Sequence, residues 1–292
     1  MIIDAIHLYT EEYSTTTQIA TFSLKNPDLT QPYILQAAAG LDAGEFTPKF
    51  FGSSSDGSSL RYYSHGVKDR EVVLKIRLNP QGAGVSNSSL RDALLKAISS
   101  SYLSKLQLRF MLSTTEKARL SGYVTKFEAS LFSNTPEVLI TLTCPDPYFI
   151  DPAVTTFSGL DKANPVFVDN DSTAPHGFTI NIGFGASVAL VKFYKGIAAT
   201  PYWYFNITYN FIASDILTIV SVENKKEVYV TRSAIKTSLL DKVAPGSTWP
   251  ILFPGSTTFT VDMQQPIGTS LPTTAWTFGT GACSHNKTYW GL

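Results

Sequence analysis

The sequence predicts a mainly β chain of two domains, the first holding a single α-helix and the second an all-β sandwich or jelly roll. Three observations carry this. Short runs of β-branched and aromatic residues alternate with polar ones and end in Gly, Pro, Asn or Ser clusters. One segment alone shows a helical period. A Pro- and Asp-rich stretch at mid-chain, Thr143-Cys-Pro-Asp-Pro-Tyr-Phe149 and the loose residues 151–170 after it, separates two textures.

In chain order, Thr17 to Leu24 alternates as a strand, and Val72, Leu74, Ile76 and Leu78 share one face opposite Lys75 and Arg77. Asn79-Pro80 ends that strand, because proline has no donor for a ladder. Leu90, Ala93, Leu94, Ala97 and Ile98 recur at helical spacing, which predicts an amphipathic helix over about 89–101. Ser89 with Asp92 is the expected cap, and the serines at 99–101 end the pattern. Residues 105–112, 122–127 and 136–144 are further strands. At the last of these, Pro145 and Pro147 remove two ladder donors, so the strand stops, and Tyr148 and Phe149 are expected to fold back onto the first core. Cys144 is then a buried strand-end thiol. Domain boundaries of 1–152 and 153–292 follow. In the second half, 178–182, 217–222, 227–231 and 257–261 alternate, with the middle two joined as a hairpin through Glu223-Asn-Lys-Lys226.

Composition narrows the function classes. The 292 residues carry 23 basic against 23 acidic side chains, so no basic field exists to attract nucleic acid or anionic lipid. A neutral surface instead favours association with other protein. The N-terminus lacks a basic leader and an apolar run, so neither a signal peptide nor a membrane span is expected. Two distant cysteines make no disulfide framework and no C-x-x-C site. The sequons at Asn87 and Asn206 carry no weight without a secretory route.

The search for chemistry is mostly negative. His7, His65, His176 and His285 are scattered without metal-ligand spacing, and no hydrolase elbow, Walker loop or dinucleotide fingerprint is present. Gly52-Ser-Ser-Ser-Asp-Gly57 is better read as a hairpin tip than as a nucleophile's seat. The local carboxylate pairs, Glu11 with Glu12, Asp146 with Asp151 and Asp169 with Asp171, are better read as solvated loop residues than as a glycosidase pair. No enzyme activity, cofactor or metal is expected. Tyr202, Trp203 and Tyr204 are the candidate partner or glycan contact, since aromatic faces stack on sugars and anchor interfaces, although alternating aromatics also build cores.

The order of motifs resembles the distal tail protein (Dit) family of long-tailed bacteriophages. In the first half this rests on Leu41-Asp-Ala-Gly44, Arg70-Glu-Val-Val-Leu-Lys-Ile76, the serine-capped helix and, most specifically, Thr143-Cys-Pro-Asp-Pro-Tyr-Phe149. In the second it rests on Val168-Asp-Asn-Asp-Ser-Thr-Ala-Pro175, the Leu217 to Val230 hairpin, Ser247-Thr-Trp-Pro-Ile-Leu-Phe-Pro-Gly255 and Tyr289-Trp-Gly-Leu292. Ser256, where many relatives have Asn, and the segment Ile212-Ala-Ser-Asp-Ile216 depart from the pattern. The resemblance implies an N-terminal β-sandwich ring domain with one helix and a galectin-like C-terminal sandwich. It also implies a non-enzymatic virion protein, made in the host cytoplasm and placed at the distal end of the tail. There a six-fold ring would join the tail tube to the tip or baseplate hub and carry receptor-binding or fibre proteins.

A cyclic ring needs two different complementary patches on each subunit. The expected inter-subunit arm is the hairpin opening at Phe46, with Phe50 and Phe51 beside its Gly/Ser-rich tip. Two rival classes remain at this point. One is a carbohydrate-binding adhesin or receptor-binding module using Tyr202 to Tyr204. The other is a hydrolase with a carboxylate pair that leaves no motif.

Overall fold

The structure is a computed structural model that describes residues 3–11, 16–24, 30–42, 46–51, 61–99, 105–130, 136–157, 166–195, 204–222, 225–265, 276–277 and 283–292. It is mainly β, as the alternation predicts, and divides into two compact units. The first is Met1–Pro152 with Tyr289–Leu292, and the second is Ala153–Thr288.

Strands β1 (Ala5–Glu11), β2 (Thr16–Ser23) and β3 (Tyr33–Ala39) begin the first unit. A separate ribbon follows, β4 (Phe46–Phe51) with β5 (Arg61–Val67), and then β6 (Arg70–Leu78). After helices α1 (Pro80–Ala83) and α2 (Asn87–Ser99) come β7 (Lys105–Leu112), β8 (Thr115–Ala129), β9 (Glu137–Cys144) and β10 (Phe149–Phe157). The pairing order β8-β7-β1-β2-β3-β6-β9 closes on itself, because β8 also pairs with β9. The layers of the expected sandwich are thus one sheet returning on itself. The fifteen residues of β8 allow this: Thr115 to Gly122 pair with β7, and Tyr123 to Ala129 pair with β9. At the point of exchange a Cβ on Gly122 would lie 2.6 Å from the Cys144 sulfur, so only glycine fits.

The alternation in β6 is realised as written, with Val72, Leu74 and Ile76 fully buried. Each such side chain contributes about 1.5–3 kcal/mol of burial. The helix differs in detail from its expected span of 89–101. It runs from Asn87 to Ser99, and the cap is Ser86, whose Oγ accepts from the Ser89 amide at 3.2 Å while its carbonyl accepts from Leu90. Asp92 does not close a capping box, because its carboxylate is taken by Arg91 at 2.7 Å. The buried stripe is Leu90, Leu94 and Ile98 alone, and it packs on β2, β6 and β8. Proline at 80 does more than end β6. Its fixed φ also starts the one-turn helix α1, which Gly84 closes in the left-handed region.

The second unit contains β11 (Val166–Asn170), β12 (Thr179–Phe184), β13 (Val188–Lys195), β14 (Tyr204–Phe211) and β15 (Ile216–Val220). It continues with β16 (Glu227–Arg232), β17 (Ile235–Ser238), β18 (Gly255–Gln264), β19 (Trp276–Thr277) and β20 (Cys283–Tyr289). One sheet has the order β17-β16-β15-β12-β20, and the other β11-β18-β13-β14. Phe178, Ile180, Leu217, Ile219 and Val228 meet Phe193, Phe205, Phe259 and Val261 in a single core. The hairpin expected over 217–231 is present as β15 and β16, with Ile219 opposite Val228.

Two expectations need correction. Residues 151–170 are not a loose linker throughout: β10 continues to Phe157, and β11 occupies Val166–Asn170. Pro152 reads as a breaker, yet β10 runs through it. The boundary at 292 also moves, because Tyr289 to Leu292 belong to the first unit. Tyr289 and Leu292 pack on its core, and the Leu292 amide donates to the Leu41 carbonyl at 3.1 Å.

Candidate functional site

The candidate arm of the first unit is the β4–β5 ribbon, a two-stranded sheet of its own. This ribbon is inserted between β3 and β6, and its backbone pairs Phe46 with Val67, Phe50 with Tyr62 and Phe51 with Arg61. Phe46, Phe50 and Phe51 therefore do lie in a hairpin. Its tip, 52–60, lies outside the described residues, as do Tyr202 and Trp203. Tyr204 opens β14 in register with Tyr194.

What fixes the ribbon's root is Arg70, the first residue of β6 and only 5% exposed. Its Nε donates to the Pro147 carbonyl at 2.7 Å, and one Nη donates to the carbonyls of Gly40 at 2.7 Å and Asp42 at 2.5 Å. The other Nη donates to the Trp290 carbonyl. Below the guanidinium lies the Phe149 ring, 4.7 Å away at its centroid. A buried cation is tolerable here because four carbonyl dipoles converge on a planar fork of donors. Burial lowers the Arg70 pKa from its ordinary value, opposed by Cys144 and Asp42.

One side chain thus ties the strand-end before the ribbon (Gly40, Asp42) to the Pro145/Pro147 segment and the C-terminal residues. Gly40 makes the approach feasible. Its φ is +79°, and a Cβ there would lie 1.9 Å from the Glu71 carbonyl oxygen. Phe149 also packs edge-on against Phe110 at 5.4 Å, and Tyr148 meets Trp290 at 4.8 Å. This is the fold-back expected of residues 148 and 149. Arg70 was legible only as the head of a strand, since none of its four acceptors is a side chain.

Cys144, paired in register with Arg70, is fully buried. Burial pushes its thiol up to about 12, with Arg70 opposing and Asp146 adding to the rise. A thiol so protonated is a poor nucleophile at neutral pH. Carboxylates flagged in the sequence have structural partners: Asp146 accepts from the Tyr148 amide, Asp151 from the Tyr289 hydroxyl, and Asp171 pairs with Lys287 at 2.7 Å. Among the described residues no cluster of three His, Cys, Asp or Glu side chains has metal-binding geometry. No described helix is long and apolar enough to cross a membrane.

Among the ion pairs of the second unit that sequence reading missed, one has a fully buried carboxylate. Asp215, fully buried in the segment that departs from the family pattern, receives Arg232 Nε at 2.8 Å and Nη at 2.7 Å, plus the Ile212 amide at 3.0 Å. The hydrogen bonds from Arg232 hold its carboxyl below the usual range. This bidentate pair closes the β14–β15 turn, where Ser214 sits at φ +72°. Nearby, the edge strand β17 has all four residues exposed, Ile235 at 69%. Lys236 on that edge lies 3.6 Å from the Tyr229 ring centroid.

No protein-family model and no curated protein matches the sequence. Solved structures do. The chain is similar to the Dit protein (gp 19.1) of phage SPP1, described as a paradigm of hub adsorption apparatus in Gram-positive infecting phages. The TM-score is 0.64 at 13% identity, over 97% of this chain and 98% of that one. A chain of the phage p2 baseplate in its activated conformation with Sr aligns at 9% identity and TM-score 0.49, over the whole of both chains. At these identities the likeness is one of fold. The two-unit β fold is that of SPP1 Dit from end to end.

Proposed function

We propose, on the premise of a fold shared over almost its whole length with SPP1 Dit, that this chain is a structural protein of a phage tail. It forms a six-fold ring at the distal end, joins the tail tube to the tip or baseplate hub, and serves as a platform for receptor-binding proteins. The observation that carries this reading is the extent of the match, 97% of one chain and 98% of the other, because it includes both units and their order. Composition supports it: a chain with no net charge and no recognisable catalytic motif acts through faces and edges. The β4–β5 ribbon, a two-stranded sheet apart from the closed sheet and pinned at its root by Arg70, supplies one of the two unlike patches that a ring requires.

Light scattering and negative-stain imaging of the purified chain test the proposal. The expected species has six-fold symmetry and a mass of about 190 kDa, six times the 31.9 kDa chain. Deleting residues 52–59 is expected to reduce it to smaller species with the fold retained. A monomer or trimer that binds a glycan array would replace this reading with the adhesin. An intact ring after the deletion would remove the ribbon from the interface.

A further inference from the structure

The four histidines look unrelated in the sequence, yet two of them, 109 residues apart, share a hydrogen bond. His176 Nε2 lies 2.8 Å from His285 Nδ1, with the rings stacked at 4.9 Å. The surrounding network assigns the protons. Thr288 Oγ1 donates to the Ala174 carbonyl at 3.0 Å, so it faces His176 Nδ1, at 3.1 Å, with a lone pair. The Ala174 carbonyl itself lies 3.3 Å from the same nitrogen. With two acceptors against it, His176 Nδ1 carries the proton, and its Nε2 is bare. His285 Nδ1 must then be the donor between the rings. That leaves His285 Nε2 as a bare lone pair, buried and without a hydrogen-bond partner among the described residues.

Such a pair has no good place for an added proton. On His285 it would place a charge in a buried ring whose Nε2 has no hydrogen-bond partner among the described residues, with only Asp171 and the Asn286 carbonyl favouring it. On His176 Nε2 it would set two N–H groups against each other. The charged groups that act on the pair are Lys287, on β20 itself, and Asp171, on the segment after β11. They bear in opposite directions and are paired with each other at 2.7 Å. Phe157 covers another side, 6.2 Å from the His285 ring.

The pair joins two things. His176 exchanges both backbone hydrogen bonds with Leu252, at 3.0 and 2.8 Å, and so holds the Trp249–Gly255 segment. Residues 172–174 are hydrogen-bonded to Thr288 of β20 through its amide and carbonyl.

We propose that the His176–His285 contact is an acid-released latch, which fastens the 170–177 strap to β20 and to Leu252 while both rings are neutral and lets it go when either is protonated. Burial lowers both groups, His285 to about 4, with His176 and Lys287 adding to the fall and Asp171 and the Asn286 carbonyl opposing it. The sign follows from these depressed values. The released state binds more protons, so the latch is intact above about 6.5 and weakens as pH falls toward about 4. Each pH unit in that window favours release by roughly tenfold per histidine.

Hydrogen exchange of the full chain from pH 7 to 4, corrected for intrinsic rates, tests this at the His176 and Leu252 amides. Their protection is expected to fall by about tenfold per pH unit if one ring titrates on release and up to about a hundredfold if both do, while Val72 and Ile140 of the first unit stay within about twofold. A double variant, His176→Gln with His285→Asn, keeps a donor and an acceptor in place without a titrating group, and its protection is expected to be flat. A wild type flat over this range, or a double variant with the same slope, overturns the latch. If the double variant does not fold, proton titration of the two rings in the wild type decides. Midpoints near 6.5 for both would overturn it, and midpoints well below that would uphold it.

Discussion

Replacing Arg70 by methionine keeps the aliphatic stem and removes every donor. The carbonyls of Gly40, Asp42, Pro147 and Trp290 then face a buried site with no hydrogen to accept. Leaving a buried carbonyl without its donor costs about 1–3 kcal/mol where water does not replace it, to which loss of the Phe149 contact adds about 0.5–1 kcal/mol. Partial entry of water and the burial of the methionine thioether offset some of this. A net loss of about 3 kcal/mol for the first unit is the expected outcome, a fall in Tm of roughly 6–12 °C for a unit of this size. Arg70→Lys should lie between, since three donors on a compact ammonium cannot span four carbonyls. Urea denaturation measures the change, and exchange at the Leu292 amide, bound to Leu41, gives a local readout. A loss below about 1 kcal/mol with Leu292 still protected would refute the argument that these carbonyls depend on Arg70.

Further outcomes are expected at Gly40, Gly84, Cys144 and Asp215. Gly40→Ala should cost more than about 2 kcal/mol, because its Cβ meets the Glu71 carbonyl oxygen at 1.9 Å, whereas Gly84→Ala, also at positive φ but in open space, should cost only about 1 kcal/mol. Denaturation of the two side by side separates clash from conformation. Cys144, with its thiol pushed up to about 12, should resist maleimide at pH 8 until the chain unfolds, and Cys144→Ser should leave the oligomer unchanged by light scattering. Asp215→Asn should cost about 2 kcal/mol, less than a fully buried pair because the Arg232 side chain is 40% exposed. Since Asp215 is depressed in the fold, its contribution is present above the ordinary carboxylate range and lost as pH falls through its lowered value; the variant's stability should vary less with pH there.

The legible parts of this fold are those fixed by neighbours in sequence. Val72, Leu74 and Ile76 announce a half-buried strand, Leu90, Leu94 and Ile98 a helix, and Pro145 with Pro147 the end of β9, because period and missing donors are local properties. The candidate arm was legible in the same way, as a hairpin, from aromatic runs around a Gly/Ser tip. Even local reading slipped where two options lay within one turn: Ser86 and Ser89 both suit a cap, and only the path of the chain chooses Ser86.

What the sequence by itself determined, then, is the class of most segments, strand, helix or break. The tertiary structure alone decided which segments meet. It closed the first sheet through β8, returned residues 289–292 to the first unit, gathered four carbonyls around Arg70 and set His176 against His285. The physical reason is that alternation tells a side chain only that it is buried. Its partner is fixed by register and closure across tens to hundreds of residues, and a backbone carbonyl that receives a buried arginine leaves no mark on the side-chain pattern.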